Sequence, residues 1–237
     1  MAKIATHDEE ARGNLLMEAW NGNGAAPVLG RVGNAILMPR AEATPNLTAM
    51  SDAGDDDGAV AILCATASSL HAAHGLGISE KMVPLERWFD GLRMAGAADD
   101  GSFFGTAWGI AAPLIAARRD EVVLHGDIHH GNVLHFGTLG WRAIDPKGLI
   151  GDRAFDYANL FCNPSPAIAE VRFEARLAIV TGHAGLERDR LLRWIVAWTG
   201  LSAVWFAESG GDASLPLAIG HRALAKLDGG GAAATSS

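Results

Sequence analysis

The chain has very little cysteine. Cys64 and Cys162 are its two cysteines among 237 residues, and each follows an apolar stretch that indicates a helix. Two such residues do not supply a disulfide framework. We therefore expect both thiols to be reduced, and burial in the core is the simplest interpretation for each.

Long hydrophobic runs are also missing. No apolar stretch approaches the ~20 residues that a transmembrane helix needs. The first residues show no basic start, apolar core and small-residue cleavage site of a signal peptide. These features predict a soluble protein of the cytoplasm, with no membrane as partner.

The chain also lacks an excess of basic residues. Lysine and arginine total 19 against 27 acidic residues, which gives a formal net charge of −8. Binding along a phosphate backbone requires a basic face, so this charge argues against nucleic acid as the main partner. An acidic surface is compatible with a cationic small molecule but does not by itself indicate one. The 49% hydrophobic composition supports a sizeable core in one large domain or two lobes.

The most informative segment present runs from His125 to Asn132 and is followed by Asp145. Four residues separate Asp127 from Asn132, a spacing that lets a loop fold back and bring a carboxylate and an amide oxygen to one centre. Phosphoryl transfer to a hydroxyl requires a carboxylate that accepts the proton and oxygen ligands for magnesium beside it. We therefore predict Asp127 as the catalytic base and Asn132 and Asp145 as magnesium ligands.

The order of the elements predicts an α+β fold. A strand at 2–5 precedes a helix with Thr6 as N-cap and Glu9 completing a capping box, and two strands meet at Gly33 and Asn34. Further strands are predicted within 122–145, and helices over 58–74, 84–96, 103–119, 166–184, 187–207 and 212–227. The predicted divisions are a small strand-rich lobe at 1–41, a mostly helical lobe at 42–228 and a disordered tail at 229–237.

The segment from His125 to Asn132, with Ile144 to Pro146, resembles the signature of aminoglycoside phosphotransferases, which share the protein-kinase fold. The stretches at 20–25, 140–148, 155–159 and 200–203 resemble the streptomycin 6-phosphotransferase branch, which also contains hydroxyurea-resistance proteins. The resemblance extends from about residue 3 to 227. It implies a two-lobe kinase-like enzyme that transfers phosphate from ATP, with Mg²⁺, to a hydroxyl of a cationic aminoglycoside, with streptomycin as the expected acceptor.

The resemblance also implies roles for residues outside the loop. Lys3 matches the strand lysine that contacts the phosphates, and Glu10 matches its helix partner. Arg40 and Ala41 match the hinge whose backbone bonds adenine. The nucleotide-covering hairpin of the family would precede Lys3, where only Met1 and Ala2 stand, so we expect an incomplete N-terminal lobe. The second hypothesis is therefore a truncated, inactive kinase-like protein or a nucleotide-binding module.

His125 and Asp156 match residues that support the catalytic loop. An alternative is a metallohydrolase, since His125, His129, His130 and Asp127 include ligand types that zinc or iron accepts. Two features argue against a metallohydrolase. The candidate ligands do not form a helical i, i+4 pair, and the asparagine at 132 is a poor zinc ligand.

Several other polar and aromatic residues permit two interpretations. The acidic run at 52–57 is expected to cap the next helix, with a magnesium site as the alternative. His71 is expected to cap a helix end, and Lys147 to contact a phosphate or form an ion pair. The remaining expectations are core packing for Trp141, Trp194, Trp198 and Trp205, and an acceptor-binding role or a solvated loop for Glu208 and Asp212.

Overall fold

A computed structural model describes residues 1–73 and 75–233. The chain begins with a three-stranded antiparallel sheet of β1 (Ala2–Ile4), β2 (Gly30–Val32) and β3 (Ala35–Leu37), in the order β1-β3-β2. The predicted hairpin between β2 and β3 is confirmed, with Gly33 in the left-handed region at φ +56°. Lys3 is the central residue of β1 and lies opposite Ile36 of β3.

Helix α1 (Asp8–Trp20) follows β1 and begins one residue later than predicted. His7 is its N-cap, and the expected pairing of Thr6 with Glu9 is wrong. Glu10 reaches back instead, and its Oε2 accepts from the backbone N–H of Thr6 at 2.7 Å and from the Thr6 hydroxyl at 3.0 Å. The helix ends as expected at Asn21, whose left-handed φ of 44° closes the last turn.

The remaining helices of the described residues are α2 (Leu47–Asp52), α3 (Asp56–His71), α4 (Leu85–Trp88), α5 (Asp90–Ala98), α6 (Phe103–Ala116), α7 (Pro166–Ala184), α8 (Arg188–Ser209) and α9 (Ser214–Ala233). The single helix predicted over 84–96 is divided at Phe89, where the backbone leaves helical geometry. Helix α9 continues to Ala233, past the start of the tail predicted at 229–237. Residues 234–237 of that tail lie outside the described part of the chain.

The later strands form two small sheets rather than one. β8 (Leu149–Asp152) pairs in parallel with β4 (Val83–Pro84) and antiparallel with β5 (Glu121–Leu124). β6 (Val133–His135) pairs only with β7 (Trp141–Ala143) among the described residues. The strands predicted within 122–145 are therefore present as β5, β6 and β7, with β5 in a different sheet from the other two. Residues 125–132 connect β5 to β6, and residues 144–148 connect β7 to β8. Both connections run between the same two sheets and lie side by side, and both carry predicted site residues.

Helix α8 is the centre of the core behind these connections. Most of its residues from Arg190 to Val204 are buried, and Trp194 is fully enclosed. Trp194 lies in a mutual edge-to-face cluster with Phe89 and Phe155, with ring centroids 5.7–6.1 Å apart. A Cβ on Gly200 would lie 2.5 Å from the Cβ of Ala107, so glycine is what permits α6 and α8 to pack this closely.

No helix in the described ranges combines the length and apolar character needed to cross a membrane.

Candidate active site

The carboxylate of Asp127 is held at both oxygens. Asn132 donates from Nδ2 to the Asp127 carbonyl at 2.9 Å and to Oδ2 at 3.2 Å. Asn159, in the 3₁₀ segment Arg153–Cys162, donates from Nδ2 to Oδ1 at 2.8 Å. Since the nitrogen of Asn132 is occupied by Asp127, its amide oxygen is the atom oriented for a cation. Asn159 ends one of the stretches that resemble the family branch, but its contact with Asp127, 32 positions away, was not predicted.

Asp156 lies beneath this loop and is fully buried. Its Oδ1 accepts from the N–H of Gly126 at 2.7 Å and its Oδ2 from the N–H of His125 at 2.9 Å. The ring of His71 donates to the same Oδ2 at 2.8 Å, so His71 contacts Asp156 rather than serving as the expected helix cap. Burial raises the pKa of Asp156, but the His71 contact and the loop amides outweigh burial and hold the pKa below its ordinary value.

Two histidines of the loop, His125 and His130, serve as structural groups. Nε2 of His125 donates to the Ile144 carbonyl at 2.8 Å, and Nδ1 accepts from the backbone N–H of Asp127 at 3.2 Å. His130 bonds Ser51 at 3.2 Å. Burial lowers the pKa of His125 and takes that of His130 to about 4. Both rings are therefore neutral, and no group of three or more His, Cys, Asp or Glu side chains within the described ranges is arranged to hold a metal. The metallohydrolase alternative loses its support.

Asp145 lies between β7 and β8 in a left-handed conformation, with φ at +63°. Its Oδ1 forms an ion pair with Lys3, which joins the predicted phosphate lysine to a predicted metal ligand. The predicted Lys3–Glu10 pair is absent from the described contacts, because the Glu10 carboxylate accepts two hydrogen bonds from Thr6. Burial raises the pKa of Asp145, but the hydrogen bond and the charge of Lys3 outweigh burial, and the net pKa is lowered. The carboxylate is therefore anionic at neutral pH.

Lys147 brings a second cation to the same place. Its Nζ lies 3.1 Å from Glu9 and 3.8 Å from Asp127, which favours the ion-pair interpretation. Burial lowers the pKa of Lys147, but the Glu9 contact outweighs it and the pKa is raised. The oxygens of Asn132 and Asp145 are the hard donors that magnesium prefers, and the lysines suit phosphate oxygens. The residues present therefore fit a magnesium–nucleotide group.

Arg40 and Ala41 lie in the segment that leaves β3. Arg40 is exposed, while Ala41 packs against the core. The next residue fastens this segment to β6: the N–H of Glu42 donates to the carbonyl of His135 at 2.8 Å, and the His135 ring bonds the Glu42 carboxylate at 2.6 Å. The contact of Arg40 and Ala41 with adenine stays a prediction.

A cavity of about 540 Å³ opens beside Asp127 on the side of Asn159. Its acidic lining residues are Asp127, Glu170 and Asp212. Asp212 was predicted here, and its carboxylate also accepts from the N–H and hydroxyl of Ser214 at the start of α9. Glu208 is exposed and lies outside this lining, which favours the interpretation of Glu208 as a solvated residue. Glu170, near the start of α7, was missed because its position depends on how α7 packs.

A second cavity of about 350 Å³ continues past Asp127, with an aromatic wall of Trp88, Trp198, Trp205 and Phe206. Trp205 is 38% exposed and lies edge-on to Trp88, with centroids 5.5 Å apart. Trp198, at 8% exposure, and the enclosed Trp194 are core residues as predicted. The core interpretation is wrong for Trp205, which forms the wall of the cleft.

Trp141 and Cys162 are less buried than expected, whereas Cys64 is buried as expected. Trp141 is partly exposed on β7 and packs edge-on against His135, with ring centroids 5.2 Å apart. Cys64 is buried as expected, while Cys162 is only partly buried. Burial raises the pKa of both thiols to about 12, which makes them inert.

The acidic run before α3 divides into a cap and two ion pairs. Asp55 is the expected N-cap, and its Oδ1 accepts from the N–H of Gly58 at 3.1 Å. Asp56 is buried and bonds the guanidinium of Arg176 at 2.6 and 2.9 Å. Asp57 pairs with Arg172. The buried Asp56 and the exposed Asp57 are thus each paired with an arginine, which leaves the magnesium alternative for this run without support.

The fold is protein-kinase-like. The structure superposes on the choline kinase LicA of Streptococcus pneumoniae with a TM-score of 0.59 at 15% identity, over 96% of this chain and 85% of that one. A choline/ethanolamine kinase family protein of Mesorhizobium loti gives 0.61 at 15% identity, over 95% and 78%. At this identity the likeness shows the fold alone. The predicted protein-kinase-like α+β fold is confirmed.

The family follows from the sequence comparison. The model of the aminoglycoside/hydroxyurea antibiotic resistance kinases matches residues 1–210, and the chain belongs to this family. It is 44% identical to a streptomycin 3''-kinase of Klebsiella pneumoniae, over 96% of this chain and 89% of that protein. It is 32% identical to a hydroxyurea phosphotransferase of Kitasatospora aureofaciens, over 90% and 64%. A streptomycin 6-kinase of Streptomyces griseus is 29% identical over 94% and 76%. The protein is a phosphotransferase that acts on hydroxyl groups.

Proposed function

We propose that the protein is an ATP- and magnesium-dependent streptomycin O-phosphotransferase with the 3''-hydroxyl as acceptor. The observation that carries this proposal is the 44% identity, along nearly the whole chain, to a streptomycin 3''-kinase. The resemblance found in the sequence pointed to the 6-phosphotransferase branch, but the 6-kinases share only 28 and 29% identity.

The shape and charge of the cleft support such an acceptor. A cavity of about 540 Å³ suits a ligand of several rings, and Glu170 and Asp212 place negative charge on its rim. Streptomycin carries guanidinium and ammonium groups, which these carboxylates would attract. The aromatic wall at Trp205 offers faces on which a guanidinium stacks.

In the proposed reaction the acceptor hydroxyl enters beside Asp127. Its proton passes to the Asp127 carboxylate while its oxygen forms a bond to the γ-phosphorus of ATP. The bond from that phosphorus to the β–γ bridging oxygen breaks, and ADP leaves. Asn132 and Asp145 would hold magnesium, which neutralises charge on the phosphates when bound. Lys3 and Lys147 add positive charge on the same side.

Phosphoryl transfer from ATP to streptomycin with magnesium tests the proposal, followed by ³¹P NMR and proton NMR of the product to locate the phosphate. Asp127→Asn is the matched control, because it keeps the shape but removes the base. We expect it to lose about 10²- to 10⁴-fold in kcat while its thermal unfolding stays close to wild type. Phosphate on another hydroxyl refutes the assigned position.

The inactive alternative gives a different result. A protein that binds ATP in calorimetry but transfers no phosphate to streptomycin, under conditions in which the Klebsiella relative does so, would be a nucleotide-binding module. Hydroxyurea is tested in parallel as the other acceptor suggested by the family. Transfer to hydroxyurea with no transfer to streptomycin overturns the acceptor but keeps the phosphotransferase.

A further inference from the structure

The base of the proposed reaction is bonded by an asparagine, Asn159, to which the sequence analysis assigned no role. A carboxylate only accepts hydrogen bonds, so the Asn159 side chain must present its nitrogen, not its oxygen, to Asp127. We propose that Asn159 and Asn163 are positioning residues for Asp127, and that Asn163 determines which end of the Asn159 amide faces the base. This inference rests on the proposed function, in which Asp127 accepts the hydroxyl proton.

The orientation of the Asn159 amide is set from its other end. Asn163 donates from Nδ2 to Oδ1 of Asn159 at 2.9 Å, and to the Asn159 carbonyl at 3.1 Å. A carboxamide has one accepting and one donating end, so a donor on its oxygen turns its nitrogen towards Asp127. Asn159 is only 4% exposed, and solvent therefore offers little replacement for either bond.

Asn163 is fixed in turn by a buried ion pair. Its carbonyl accepts from Nη1 of Arg176, which also donates to the carbonyl of Leu160 at 2.6 Å. The guanidinium is fully buried and held by two bonds to Asp56. Because Arg176 bonds two carbonyls of the turn that follows Asn159, it fixes the backbone from which both amides project.

The amide pair lies on the acceptor side of the base. Asn159 and Asn163 line the same cavity as Asp127, whereas Asn132 approaches the opposite carboxylate oxygen. Loss of the Asn159 bond would free the carboxylate to rotate and would turn its lone pairs from the acceptor. The consequence falls on the transfer step, since the described side-chain contacts of Asn159 and Asn163 include no predicted nucleotide or magnesium ligand.

Asn163→Asp separates this role from a structural one. The variant keeps the shape of the side chain, but a carboxylate accepts, so it draws the Asn159 nitrogen to itself and leaves the Asn159 oxygen facing Asp127. We expect kcat to fall by about 10- to 100-fold, the scale of a lost hydrogen bond to a charged group, with KM for ATP within about twofold. Asn163→Ala removes the donor without reversing the Asn159 amide, so we expect it to reduce kcat less than Asn163→Asp does.

The order of the two variants decides between the roles. If Asn163 only fills space, alanine leaves a hole while aspartate does not, so Asn163→Ala would be the slower enzyme. That order, or an Asn163→Asp enzyme within about threefold of wild-type kcat, overturns the proposal. Asn34→Asp, at the exposed turn between β2 and β3, makes the same charge change away from the cleft and is expected to leave kcat unchanged.

NMR of the side-chain amides gives a readout that needs no acceptor. The Asn159 NH₂ signal is assigned by its loss in Asn159→Asp and is expected to shift on Asp127→Asn. In the Asn163→Asp background the same Asp127 substitution should leave it unmoved. If the Asn159 signal does not shift on Asp127→Asn in the otherwise wild-type protein, the inference is overturned. Failure of streptomycin to be phosphorylated, with these shifts as expected, contradicts the proposed function alone.

Discussion

The contact between Asp156 and the catalytic loop gives a prediction whose size follows from the structure. In Asp156→Asn one carboxylate oxygen becomes an NH₂ group that must face a backbone N–H or the ring of His71. The change leaves buried donors opposed without an acceptor. Breaking a buried charged network of this kind costs about 3–5 kcal/mol.

For a chain of 237 residues, each kcal/mol corresponds to a shift in Tm of about 2–4 °C. We therefore expect Asp156→Asn to unfold about 6–20 °C below wild type, as measured by circular dichroism at neutral pH. Asp90→Asn is the control, because that carboxylate is half-exposed and its pair with Arg93 contributes about 0–1 kcal/mol.

The same variant makes a prediction for pH. The pKa of Asp156 is lowered in the folded protein, so its stabilisation is complete above the unfolded pKa of about 4 and is lost as the pH falls through the folded pKa. The difference in Tm between wild type and Asp156→Asn should therefore shrink in acid. A variant within about 2 °C of wild type at neutral pH, or a gap that widens in acid, refutes the reasoning.

Three further substitutions address the site directly. Asp145→Ala should weaken binding of ATP in the presence of magnesium by about tenfold or more in calorimetry, with little change when magnesium is left out; equal weakening in both contradicts a metal ligand. Glu170→Gln should raise KM for streptomycin roughly two- to fivefold, an effect that salt reduces, while Glu208→Gln, outside the cavity, should not. Trp205→Ala should raise the same KM by up to about fivefold, and an unchanged KM would remove the aromatic wall from acceptor binding.

The parts of the molecule that were predictable from sequence are those that depend on near neighbours. The spacing of Asp127 and Asn132 within one loop identified both before any fold was known, and the hydrogen bond between their side chains joins residues only five positions apart. The left-handed end of α1 at Asn21 and the turn at Gly33 are equally local, since each follows from what one residue's backbone tolerates.

Contacts across long stretches of chain were missed or misassigned. His71 lies 85 residues from Asp156, and only the packing of α3 against the 3₁₀ segment Arg153–Cys162 brings them together. The pairing of Lys3 with Glu10 was carried over from the family, but the hydrogen bonds from Thr6 occupy that carboxylate and Lys3 pairs with Asp145. Trp205 has the spacing of a core residue, yet the end of α8 extends beyond the core into the cleft.

The catalytic loop is held both at its backbone and at the side chain of Asp127. The residues that hold these two parts are expected to have different effects on stability and on catalysis. Asp156 bonds the backbone at His125 and Gly126, so its loss should reduce both the folding free energy and kcat. The amide of Asn159 bonds only the side chain of Asp127 in the loop, among the described contacts, and Asn163→Asp reverses that amide at nearly constant volume. Such a reversal should reduce kcat while the Tm changes much less than in Asp156→Asn. Because a base must be oriented as well as present, a loop whose backbone remains in place is not sufficient for transfer.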